Sequence, residues 1–391
     1  MKKHLFFHMK IHALCSFFLI LIIHVFPLNK VHAQVPDSTW GKDFENYPKF
    51  QFKGLFQARF TTSLNKDVDV GGLHHADHSG TDNTFALKYM RAQVQAKISK
   101  RTEVVALVNL ADFKSDPKTK VLENAYLKYT FSPKIALTVG QFRPWFGIEE
   151  TYPVDIIKSL DWSNQYFEFG KNGWTSFQLG ASVGGTLHFG TMPFQYALSV
   201  VNGNGKNQIS DNNNGKQYLS RMVFGLSRKY RVNLGVNGGV GDAFHKTVYA
   251  LGADMTSNIA LSPRWFLDMQ VEAKQAINHN LYFALGEDVR SPDINDYQMR
   301  GIYFLPNLRY EIKHKNLSAI EVSCRYEYLD VNFKKDKNPR ETITPMFGLE
   351  FLKNYGARIQ VGMQIDRYKH QIENTTTYNG NLFILQVQSR L

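Results

Sequence analysis

From Phe50 onward the chain repeats one pattern, in which segments of roughly 10 to 16 residues alternate apolar and polar side chains. In FQFKGLFQARFT, residues 50–61, Phe50, Phe52, Phe56, Ala58 and Phe60 share one parity, and Gln51, Lys53, Gln57 and Arg59 take the other. In ALKYMRAQVQAKIS, residues 86–99, Met90, Ala92, Val94, Ala96 and Ile98 oppose Arg91, Gln93, Gln95 and Lys97. Period two sends successive side chains to opposite faces of a strand, so one face can meet lipid and the other water. The pattern predicts sixteen strands, near 49–64, 84–99, 101–112, 121–131, 134–143, 175–189, 193–203, 216–229, 231–241, 246–258, 263–276, 298–314, 316–332, 341–353, 355–370 and 380–391.

The connections alternate too. Mostly long ones near 65–83, 113–120, 144–174, 204–215, 242–245, 277–297, 333–340 and 371–379 exchange with tight ones such as Ser99-Lys100, Ser132-Pro133 and Lys315. The last segment, NLFILQVQSRL, places Phe383, Leu385, Val387 and Leu391 opposite Gln386, Gln388 and Arg390. A strand there needs a partner, and pairing it with the first strand closes the sheet and removes its edge. The fold predicted is all-β, a 16-stranded antiparallel transmembrane β-barrel with long loops on one side and short turns on the other. A soluble sandwich or propeller fits less well, because its strands are usually about five or six residues long.

The N-terminus changes the boundaries. Lys2, Lys3 and Lys10 precede an apolar run from Ala13 to Phe26, followed by Val31-His32-Ala33, the layout of a secretory signal peptide cleaved after Ala33. The expected organisation is therefore a signal peptide at 1–33, a periplasmic N-terminal segment at 34–48 and the barrel at 49–391. Leu14 before Cys15 and the apolar residues after it argue against a lipid-attachment site. Without the signal, Cys324 is the one cysteine left and no intramolecular disulfide can form. The formal net charge of +12 falls by the segment's four lysines, Lys2, Lys3, Lys10 and Lys30, to +8. No cluster of five or more Lys/Arg marks a nucleic-acid partner, so the excess points to anions or acidic lipid head groups.

A barrel of sixteen strands encloses a water-filled channel, so the expected function is passage of small hydrophilic solutes or anions. The connection from Pro144 to Trp174 is the longest. Its stretch TYPVDIIKSLDW, with Val154, Ile157 and Leu160 at helical spacing, predicts a short helix in a third external loop that folds inward and narrows the pore. Tyr129, Tyr249, Trp265, Tyr303 and Tyr326 are expected in the interfacial girdle, and Cys324 on the lipid-facing parity. His74, His75 and His78 with Asp77 could approach a divalent ion but read better as a solvated loop. GNGKN at 203–207 lacks the residues of a phosphate loop, and no Gly-x-Ser-x-Gly elbow occurs. No enzyme, cofactor or metal is expected. The competing reading is a plugged receptor or adhesion barrel that binds an external partner through its long loops.

FALKYMRAQVQAKISK from 85, ENAYLKYTFSPKIALTVGQFRPWFGIEE from 123, FQLGASVGGTLHFG from 177, YALSVVNGNGKN from 196 and CRYEYLD from 324 together resemble the phosphate-selective porin O and P family. The most specific parts are GQFRPWFG, residues 140–147, and VVNGNG, residues 200–205; Trp145 stands where the family has a second proline. The resemblance implies a trimeric outer-membrane channel with the third loop in its lumen and anions drawn past arginines. It carries Arg91 and Arg143 over as pore-lining, anion-binding candidates, with Lys53, Arg59, Lys97 and Lys128 as basic positions on the lumen parity of the first five strands. Later strands place Asp254, Asp268, Glu272, Glu311, Glu321, Glu327, Glu350 and Asp366 on that parity, which predicts a transverse field and only weak anion preference.

Overall fold

The computed structural model describes residues 46–114, 121–208, 211 and 213–391. The chain divides into two compact units, 1–47 and 48–391. The expected signal peptide, and the 34–48 segment up to residue 45, lie outside the described residues.

Among the described residues of the second unit, sixteen strands close into one antiparallel barrel in which each strand pairs with its sequence neighbours. They are β1 (Lys49–Ser63), β2 (Asn83–Lys97), β3 (Thr102–Asn109), β4 (Leu122–Ser132), β5 (Ile135–Phe142), β6 (Gln178–Phe189), β7 (Met192–Val201) and β8 (Gln217–Ser227), then β9 (Val232–Ala243), β10 (Lys246–Ala260), β11 (Trp265–Ile277), β12 (Gln298–His314), β13 (Leu317–Asp330), β14 (Arg340–Leu352), β15 (Ala357–Tyr368) and β16 (Gly380–Arg390). β1 joins β16 from Leu55↔Arg390 to Ser63↔Leu382. Gly54 and Leu391 exchange backbone hydrogen bonds of 3.0 and 2.9 Å beyond that ladder.

The alternation read from the sequence is realised on the two faces. Phe52, Phe304, Val322, Phe347 and Leu385 are exposed on the outer parity, while Gln57, Glu321, Gln360, Gln386 and Gln388 are buried on the inner one. Cys324 lies on the outer face with Val322 and Tyr326, as its parity required. Tyr303 corrects the girdle assignment, since it is buried, takes the inner parity and donates its hydroxyl to Gln270 Oε1 at 3.5 Å.

Two further expectations need correcting. Residues 242–245 are no loop, because β9 and β10 meet in a two-residue turn at Phe244 and His245, both at positive φ of 49° and 65°. Such mirror-type turns match the twist of the paired strands. The helix expected within TYPVDIIKSLDW is only a 3₁₀ turn at Val154–Ile156, and the α-helix of this connection, α1 (Asn164–Lys171), begins after it. Ser163 caps α1 by accepting from the Tyr166 amide, a start signal that outweighs the apolar spacing upstream. A second short helix, α2 (His279–Ala284), lies in the connection between β11 and β12.

The outer face supplies a direct test. Val322→Arg on β13 places a cation among Leu308 and Phe347, its outward neighbours across the sheet. It should cost about 2–4 kcal/mol of folding free energy in lipid near mid-membrane. Ser323→Ala, one residue along on the inner face, should cost about 1 kcal/mol through its lost hydrogen bond to Lys158 O. Denaturant titration of the barrel refolded into liposomes separates the two.

Candidate functional site

The connection from Arg143 to Phe177, which follows β5, is tied to inner-face side chains of strands spread round the ring. It begins at Gly147, whose amide donates to Asn237 Oδ1 at 3.0 Å, and at Ile148, whose amide donates to Glu272 Oε1 at 2.8 Å. Gly147 has φ +107°, and a Cβ there would sit 2.1 Å from Glu272 Oε1 and 2.6 Å from Lys274 Nζ. Only glycine both adopts that backbone and lets the chain approach the buried pair, which accounts for the glycine that closes GQFRPWFG.

Beyond that anchor, backbone carbonyls are held by side chains from far along the chain. Gln388 donates to Asp155 O at 2.9 Å, Arg358 to Ile157 O at 3.0 Å, and Ser323 to Lys158 O at 2.7 Å. Arg59 donates to Leu160 O at 2.5 Å, and Arg325 to Asp161 O at 2.6 Å and Trp162 O at 3.0 Å. At the start of α1, Asn164 donates its amide to Glu327 Oε2 at 2.6 Å.

Apolar contacts follow the same path. Val154, Ile157, Trp162 and Tyr166 pack with Leu55 of β1, and Leu160 packs with Met346, Leu382 and Ile384. Leu55, Met346, Leu382 and Ile384 interrupt the polar inner parity. Each interruption marks a place where the connection rests on the wall.

The six basic candidates divide sharply. Arg59 pairs with Asp161 at 3.2 Å and also donates to Gln386 Oε1. Arg91 pairs with Glu123 at 2.7 Å and lies over the Tyr89 ring. Arg143 donates to Glu150 Oε2 at 2.7 Å, to Tyr152 O at 2.9 Å and to Glu149 O, and stacks on Trp162. Burial works against its charge, yet the Glu150 and Glu149 carboxylates hold Arg143 above the usual guanidinium range. Lys53 is exposed and donates to Gln95 Oε1 at 3.2 Å. Lys97 and Lys128 are exposed, and their side-chain ammoniums make no hydrogen bond or ion pair among the described residues.

Seven of the eight acids of the later strands are met by bases that parity reading had not weighed, while Glu311 is exposed with no ion pair among the described residues. Arg221 pairs with Asp254 at 2.5 Å, Lys158 with Asp268 at 2.7 Å and Lys274 with Glu272 at 3.3 Å. Arg309 bridges Glu321 and Glu350, each at 2.6 Å; Arg325 holds Glu327 at 2.7 Å and Arg340 holds Asp366 at 2.8 Å. These pairs correct the expected segregation of basic and acidic walls. Bare carboxylates in so enclosed a space would carry a large desolvation cost, and each pair offsets it locally.

Two charges were hidden by β-bulges. The register of β1 with β2 passes from Gln57↔Tyr89 to Ala58↔Leu87, so Lys88 is an extra residue, and it reaches Asp161 Oδ2 at 2.5 Å. The register of β3 with β4 passes from Leu107↔Asn124 to Val108↔Leu122, and the skipped Glu123 turns to Arg91. Simple parity would send both outward, whereas a bulge re-aims a side chain at the cost of one ladder position. Of the histidine cluster, His74 lies near Asp67 and His75 pairs with Asp69, and no group of three or more candidate metal ligands forms among the described residues.

A cavity of about 640 Å³ lies between the connection and the wall of β2–β7. Arg91, Lys128, Arg143, Glu150 and Tyr152 line it together with neutral polar residues of β4–β7.

Gly147→Ala should strain the positive φ and force Glu272 and Lys274 apart. A loss of about 1–3 kcal/mol is expected, with noisier single-channel current than wild type. Burial alone would raise the Asp161 carboxyl, but Lys88 and Arg59 hold it well below the usual carboxylate range. A depressed folded-state value contributes stability at every pH above the unfolded value of about 3.9 and loses it only as pH falls through the lower folded value. Asp161→Asn, which leaves two cations facing a neutral amide, should therefore cost about 3 kcal/mol at pH 7 and at pH 5 alike. The deficit should shrink progressively as pH falls below about 4, through the interval between the unfolded value and the lower folded one, as followed by denaturant titration across pH.

The family model for phosphate-selective porin O and P matches residues 60–288. No curated protein matches the chain. Among solved structures, OprB of Pseudomonas putida superposes with a TM-score of 0.59 at 9% identity, over 90% of this chain and 97% of that one. An anion-selective porin from Comamonas acidovorans gives 0.55 at 7% identity, over 88% and 100%. The trimer form of OmpT, an outer membrane protein of Vibrio cholerae, gives 0.53 at 12% identity, over 88% and 99%. At these identities the structures share the fold alone. The family match spans more than half of the sequence and agrees with the closed sixteen-stranded barrel: the chain belongs to the phosphate-selective porin O and P family and is a bacterial outer-membrane porin that lets solutes diffuse passively.

Proposed function

We propose that the 143–177 connection folds into the lumen as the constriction of this porin, and that solutes pass between it and the β2–β7 wall with a modest preference for anions. The asymmetry of its attachments carries this reading. Its bonds run mainly to β1, β9, β11, β13, β15 and β16, with Lys88 of β2 reaching Asp161, while the open cavity lies against β2–β7. A solute on that side meets the basic early wall, while Asp268, Glu272 and Glu327 are engaged by the connection itself.

Anion preference then arises mainly from cations without a carboxylate partner. Lys128 faces the cavity, and Lys53 and Lys97 stand on the same parity at the short-turn ends of β1 and β2. Arg59, Arg91 and Arg143 hold the constriction in shape. An ion cannot be passed along arginines whose donors already hold carboxylates and carbonyls, so a strict phosphate ladder is not the expected mode. Residues 1–33 serve export, and the barrel works as a homotrimer, as the family resemblance implies.

Single-channel current in a planar bilayer under a potassium chloride gradient tests the reading. Wild type should conduct steadily with a reversal potential of modest anion preference. Lys128→Glu should shift that potential toward cations, and Lys128→Arg, which keeps the charge, should leave it near wild type. Absence of any conductance would sink the channel in favour of a plugged receptor barrel.

A further inference from the structure

We propose that the cavity against the β2–β7 wall is a binding site for a hydroxylated monocarboxylate, a sugar acid being the simplest example. The inference rests on the channel reading above and names the solute class of that same passage. Its volume of about 640 Å³ falls within the roughly 300–1,000 Å³ of small-molecule sites.

The charge available to a solute there is one. Arg91 is held by Glu123 and Arg143 by Glu150 and two carbonyls, which leaves the Lys128 ammonium as the cation of this cavity with no partner among the described residues. Glu103, opposite Lys128 in the β3–β4 register, accepts instead from Gln95 at 2.7 Å. One ammonium balances one carboxylate. A compact, strongly hydrated dianion such as inorganic phosphate needs several free charged donors to replace its water.

Apart from Glu103, which does not line the cavity, the wall around Lys128 is rich in neutral hydrogen-bonding groups, with Asn124 of β4, Ser182 of β6 and Gln195 of β7 among the lining residues. Amides and hydroxyls at this density match a solute that carries several hydroxyls of its own. Trp145 of the connection, 36% exposed, lines the same cavity. A sugar ring can lay its C–H face on such an indole while its hydroxyls reach the wall, the mixture of apolar surface and few polar anchors typical of ligand sites. Trp145 stands at the position where the family pattern has proline, so this platform is a departure of this chain.

The test is block of chloride current through single reconstituted channels by D-glucuronate, D-glucose and inorganic phosphate, added in turn. D-glucuronate should half-block at a concentration about tenfold below either of the others, which corresponds to about 1.4 kcal/mol. Lys128→Gln should bring glucuronate to the level of glucose, and Trp145→Ala should weaken block by both sugars relative to block by phosphate. Phosphate blocking as well as or better than glucuronate would overturn the site, as would an unchanged glucuronate block in Lys128→Gln. Steady current with no block by any of the three overturns the site and leaves the channel standing, whereas no current overturns both.

Discussion

Everything in this barrel depends on the hydrogen bonds between β1 and β16. In hydrocarbon an unpaired backbone amide or carbonyl costs several kcal/mol, so an open sheet cannot span a membrane and a closed one can. The pairing from Leu55↔Arg390 to Ser63↔Leu382 removes the last edge. Closure then imposes the alternation on every strand. Outward positions meet lipid, inward positions meet whatever fills the space, and a side chain of the wrong kind on either face is penalised throughout.

The inner space has its own constraint. Partly screened from water, ionised side chains there are stable only when paired and hydrogen-bonded. That is why the later strands carry Arg221, Lys274, Arg309, Arg325 and Arg340 beside their acids. It is also why the arginines facing the connection bind its carbonyls. A backbone without regular secondary structure needs donors for its carbonyls, and the inner-face side chains Arg59, Arg325 and Arg358 provide them. The side chains that parity marks as an anion ladder therefore act first as clamps. The lysines left over, with Lys128 foremost, are the cations proposed to act on a passing solute.

Strand number, strand limits within a few residues, the face of most side chains and closure of the last strand on the first were legible in the sequence. Period two is a local signal, repeated sixteen times, and the membrane punishes any departure from it. The apolar exceptions Leu55, Leu382 and Ile384 were visible as exceptions but not interpretable, because their partners Ile157 and Leu160 lie more than a hundred residues away. Tyr303 was misplaced because its ring suits a girdle as well as an interior.

Tertiary structure alone decided which charges are free. Lys88 and Glu123 turn inward at bulges that leave no trace in the alternation, and each then removes a candidate arginine from the open lumen, Lys88 through Asp161 and Glu123 directly. The helix of the 143–177 connection formed where Ser163 could cap it, after the stretch whose apolar spacing suggested one. Alternation is set by neighbours two residues apart, so a single sequence determines it. Docking of the connection joins residues mostly a hundred or more positions apart, and most ion pairs depend on which side chains the strand register and its bulges bring together, so only the closed barrel decides them.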